Sequence, residues 1–125
     1  MMINVYAAWI AILVGVLAGT ITGVFFHKEK FLGGYDSWTR RLMRLGHVAF
    51  FGLGFINLLF ALTVRALGIE SGIEAASVLL VIGLITMPTV CYLSAFREVF
   101  RHLFFIPVFS VLAGVALFLW RLQQL

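Results

Sequence analysis

The chain has 125 residues, 63% of them hydrophobic and only 11% charged, with a net charge of +4. A water-soluble domain carries about a quarter charged residues, so the composition excludes that class and points to a bilayer as solvent. The basic excess is what short loops at a membrane surface produce, and it calls for no nucleic acid.

Four apolar stretches, near residues 5–26, 45–67, 75–95 and 103–122, are long enough to cross ~30 Å of hydrocarbon at ~1.5 Å per residue. They predict an all-α integral membrane protein, a four-transmembrane-helix bundle forming a single domain over 1–125. The first stretch reads as a span and not a signal peptide, because charges follow it where a small-residue cleavage site would stand. Gly15, Gly19 and Gly23 recur at every fourth position, two overlapping small-xxx-small patterns on one stripe. Lipid tails are as apolar as leucine, so membrane helices associate where small residues let backbones approach. The stripe is expected to receive the second helix, with a contact between copies as the alternative.

Between the first two stretches, Gly33 and Gly34 turn the chain, and Asp36 or Ser37 caps a new helix. The distance from there to Gly68 exceeds one span, so the first turns of helix two should protrude as an arginine-rich collar. Arg40, Arg44, His47, Gly54, Ala61 and Arg65 share one face, with Asn57 slightly rotated. An amide is poorly solvated by lipid, so this face should point inward. Asn57, the strongly polar side chain expected nearest mid-depth, should fix helix register through Thr20, Thr22 or Thr86; a place in a transport path is the alternative. In the third stretch Pro88 removes a ladder hydrogen bond and frees the carbonyl of Leu84, which Thr86 or a neighbouring helix would satisfy. Pro107 falls in the first turns of the fourth helix, and Ser110 and Gly114 repeat the small-residue spacing there.

His27, His47 and His102 all fall at one end of these stretches, beside seven of the nine lysines and arginines. Those seven are Lys28, Lys30, Arg40, Arg41, Arg44, Arg97 and Arg101, and only Arg65 and Arg121 lie at the other end. Short basic loops stay in the cytoplasm, so the reading is an inner-membrane protein with both termini outside. Tyr6, Trp9 and Trp120 mark one interface, and Tyr35, Trp38 and Tyr92 the other. Lys28, Lys30, Arg40, Arg41 and Arg97 are candidates for anionic lipid headgroups.

A b-type haem between helices two and four would use His47 and His102 as axial ligands, with Gly46, Gly52 and Gly54 making room and Arg44 and Arg101 holding the propionates. Against it stands the plainer reading of interfacial histidines bonded to loop carbonyls or lipid phosphates. A metal held by His27, His47 and His102, with Glu29, Asp36 or Glu98, is weaker still, because no spacing puts two histidines on one helix face. The single cysteine, Cys91, excludes an internal disulfide or a CxxC pair. There is no phosphate loop, nucleophile elbow or HExxH, so no enzyme is implied. No ionisable residue is expected at mid-depth, which disfavours a proton-coupled exporter.

Three classes follow in order. The first is a non-enzymatic membrane protein, an accessory subunit or oligomeric component that packs against other membrane subunits or itself. The second is a small cytochrome with haem b on His47 and His102. The third is an oligomeric channel or transporter built around the polar face of helix two.

Overall fold

A computed structural model describes residues 2–125, and these are helical almost throughout. The four main helices are α1 (Met2–Phe26), α2 (Trp38–Ala66), α3 (Glu74–Phe96) and α4 (Phe105–Gln123). By length and composition there are four candidate membrane spans, helices long and apolar enough to cross a bilayer. Two short 3-10 turns, Phe31–Gly33 and Glu98–Leu103, lie in the connections.

Local chemistry explains the boundaries. Gly33 and Gly34 adopt φ of 88° and 96°, a left-handed conformation that only a residue without Cβ takes at no steric cost. Of the two expected caps, Ser37 is the one used. Its Oγ accepts from the Arg40 N–H at 3.2 Å and donates to the Leu32 carbonyl at 2.7 Å. α2 then starts at Trp38, seven residues ahead of the apolar stretch at 45, as the protruding collar requires. Pro88 is buried inside α3, yet the helix runs on through it. Thr86 does not serve the freed Leu84 carbonyl; its hydroxyl donates to Ile82 of its own helix at 2.6 Å. A threonine in a helix reaches the carbonyl one turn back before it reaches a neighbour.

The helices alternate in direction. At one end Trp38 Nε1 donates to the Ser94 carbonyl at 2.6 Å and Thr39 to Ala95 at 2.9 Å, joining the starts of α2 and the end of α3. At the other, Arg121 Nε donates to the Ser71 carbonyl at 2.9 Å, tying the end of α4 to the α2–α3 connection. The two basic connections therefore share one end of the bundle. α2 and α3 form its centre, α1 lies mainly on α2, and α4 packs on α3.

Close approach is achieved where small residues were expected, with one exception. A Cβ at Gly15 would lie 3.0 Å from Phe50 Cβ, and one at Gly19 would lie 2.4 Å from His47 Cε1. Gly23, in contrast, has nothing within 4 Å. The stripe thus receives α2 over its first two glycines and then the helices separate, as helices crossing at an angle do away from their contact point. On α4, Gly114 faces Leu80 and Leu79, and Ser110 donates to the Leu79 carbonyl at 2.6 Å. Gly83 of α3, not singled out by spacing, is the tightest of all, with Val111 Cγ2 2.2 Å from where its Cβ would be.

Candidate functional site

The inward face of α2 carries two polar centres. The first joins three helices. Asn57 Oδ1 accepts from Asn4 Nδ2 of α1 at 2.8 Å, and its amide donates to the carbonyls of Leu53 at 2.9 Å and Leu80 at 3.1 Å. Asn4 also donates to the Ser77 carbonyl at 3.1 Å and accepts from the Ser77 hydroxyl. Asn4 and Asn57 have no exposed surface, so every amide atom needs a protein partner, and each has one. Register corrects the expected partners of Asn57. They come from the first turns of α1 and α3, and Thr20 and Thr22 donate instead to Val16 and Ala18 of their own helix. Asn4 was missed because it precedes the apolar stretch as read from residue 5. Such closed networks hold register.

The second centre is cationic and lies at the basic end, between α1 and α2. Arg40 is only 3% exposed. Its Nη2 donates to the carbonyl of Phe26 at 3.1 Å, at the end of α1, and to that of Lys28 at 2.8 Å, which also accepts from the Phe31 N–H. Its guanidinium carbon sits 4.6 Å from the Phe26 ring centre and 5.6 Å from that of Phe31. Arg40 is therefore the clasp of the α1 C-terminus and not a headgroup contact, which corrects that expectation: a positive group at a helix C-terminus meets the negative end of the dipole.

One turn on, Arg44 stacks on Tyr35 at 4.1 Å and donates through Nη2 to the Tyr35 carbonyl at 2.9 Å. His47 packs its imidazole against Gly19, with Phe51 edge-on to it at 5.1 Å and packed on Gly15. Beside them is a cleft of about 230 Å³, bounded by Gly19 and Gly23 of α1 and by Arg44 and His47 of α2. Arg44 Nη1 and His47 Nδ1 are buried and have no hydrogen-bond partner.

This geometry reassigns the histidines. His47 faces α1, whereas His102 is exposed on the 3-10 turn between α3 and α4. A large space does exist between α2 and α4, about 560 Å³, but neither imidazole lines it. Gly46 offers no room either, since its Cβ would lie 2.8 Å from Tyr92 Cε2. The pair His47 and His102, with Arg44 and the exposed Arg101, is thus not brought together as a haem site. Nor are His27, His47 and His102 assembled as metal ligands: among the described residues no three potential ligands cluster. Lys28, Lys30, Arg41 and Arg97 are exposed around the rim of the basic end, where headgroup contacts were expected. No protein-family model, curated protein or solved structure matches the chain.

Proposed function

We propose that this chain is a non-enzymatic integral membrane protein that serves as an accessory subunit of a membrane complex. Its contact surface is the groove between α2 and α4. One observation carries this reading. The groove of about 560 Å³ is lined by apolar side chains alone, among them Leu45, Val48, Ile56, Met87 and Val108, and the chain leaves it unfilled. α2 and α4 each lean on α3 without closing on one another, so a transmembrane helix of another subunit laid there would complete a layer. Gly52 sits in this groove with nothing within 4 Å of a Cβ. The buried polar groups of the Asn4–Asn57–Ser77 centre are bonded within the fold, which favours packing over chemistry as the protein's work.

Gly52→Trp tests the groove, because it fills the space without touching the fold. Expected is an unchanged thermal midpoint in mild detergent with loss of the co-purifying subunit, read by size-exclusion chromatography with light scattering. If parent and variant both run as the same single chain, lipid tails occupy the groove and the reading fails. Pairing of two copies would instead move the parent to twice the chain mass.

The seven-to-two division of basic residues further supports an inner-membrane orientation with the Lys28–Arg44 and Arg97–Arg101 regions cytoplasmic and both termini outside. The exposed lysines and arginines of that rim would then meet anionic lipid headgroups. Alkaline phosphatase fused after Leu125 should be active in a bacterial host and green fluorescent protein fused there dark; the reverse pattern overturns the orientation.

A further inference from the structure

We propose that the cleft between α1 and α2 is a binding site for a phosphate group, held by Arg44 and His47. Arg44 is fixed in place by the chain: stacking on Tyr35 and the Nη2 bond to the Tyr35 carbonyl set the guanidinium plane. Its Nη1 is left over, buried and unpartnered, and so is Nδ1 of His47 beside it. Arg44 is half-buried, and with Nη2 spent on Tyr35 its Nη1 keeps hydrogen-bonding capacity for an acceptor entering the cleft. No carboxylate lines the cleft, and its remaining walls are apolar or glycine apart from Thr22, whose hydroxyl donates to Ala18. The lining therefore suits an acceptor of negative charge. At about 230 Å³ the cleft has the room of several waters, each about 30 Å³, and admits a tetrahedral oxyanion with the first atoms of an ester. A guanidinium is the side chain best matched to phosphate oxygens, and an imidazole with its proton on Nδ1 supplies a second donor. Gly23 keeps the α1 wall open, since a Cβ there meets nothing within 4 Å.

Two sources supply this chemistry at a membrane surface, the headgroup of an anionic phospholipid and a soluble phosphate. Purified full-length protein in a neutral maltoside is titrated calorimetrically with inorganic phosphate, and native mass spectrometry follows retention of phosphatidylglycerol against phosphatidylcholine. Saturable binding of at least one phosphate probe is expected, with phosphatidylcholine retained less than phosphatidylglycerol if the source is lipid. Arg44→Gln should weaken binding by about tenfold or more, and His47→Phe, which keeps the ring over Gly19, by a smaller factor. Gly23→Leu should abolish binding at an unchanged thermal midpoint, which separates site from fold. Arg97→Gln, a rim charge away from the cleft, should stay within about twofold of the parent. Response to phosphate alone identifies a soluble anion as the occupant, and response to phosphatidylglycerol alone a lipid. Failure of both probes to bind overturns the proposal, as does undiminished binding by Arg44→Gln and Gly23→Leu. The site and the α2–α4 groove lie on different helix pairs, so either test can fail without the other.

Discussion

Gly19→Leu is expected to loosen the first helix from the bundle, lowering stability by about 3 kcal/mol, on the order of 10 °C in thermal midpoint for a chain this size. The Cβ alone would lie 2.4 Å from His47 Cε1 and 2.9 Å from Nε2. Phe51 flanks the imidazole edge-on at 5.1 Å and is itself packed on Gly15, which closes that side to a swing of the ring. The helices must separate instead, and the contacts around Gly15 with Phe50 and Phe51 go with them. Gly23→Leu, on the same stripe, should leave stability near the parent value, since it enters open space. A double variant, Gly19→Leu with His47→Ala, should recover part of the loss, because contacting residues couple and distant ones do not. Equal stability of Gly19→Leu and Gly23→Leu in detergent, or no recovery in the double variant, would sink the assigned packing.

Arg40→Met should cost a comparable amount, about 2–4 kcal/mol. Methionine keeps much of the volume and the apolar stem, so the loss isolates the guanidinium. The carbonyls of Phe26 and Lys28 each lose the guanidinium donor, Lys28 keeping only the Phe31 N–H, and the Phe26 and Phe31 rings lose the cation above them. The α1–α2 connection is held by this group, so hydrogen exchange should rise first at residues 26–37 while the Asn4–Asn57–Ser77 end stays protected. Arg41→Met, one position away and exposed, is the control and should change stability by only a few tenths of a kcal/mol. If Arg40→Met and Arg41→Met behave alike, Arg40 is a headgroup contact after all.

How far these features are legible in sequence depends on whether they belong to one helix or to a pair. The four apolar stretches, the Ser37 cap, the glycine turn and the inward polar face of α2 are properties of consecutive residues, and periodicity reports them. Gly19 was legible as a contact for the same reason: a small residue on an apolar stripe has little other use. Gly23 shows the limit. Its spacing is identical, but the helices have diverged by the time the stripe reaches it. The threonines show another, since Thr20, Thr22 and Thr86 satisfy themselves one turn back and leave Asn57 to find a partner elsewhere.

What the amino-acid sequence determined by itself is how many long apolar helices there are, roughly where they lie, and that the histidines and most cations gather at one end. Those follow from apolar length, capping chemistry and charge count, all of them local or additive along the chain. Only the tertiary structure decided that Asn4 closes on Asn57 and Ser77, that Arg40 is buried under the end of α1, and that His47 turns to Gly19 and away from His102. Each of these depends on the register and rotation of one helix against another. A slide of one turn, about 5.4 Å, changes every partner while leaving the pattern of each helix as it was.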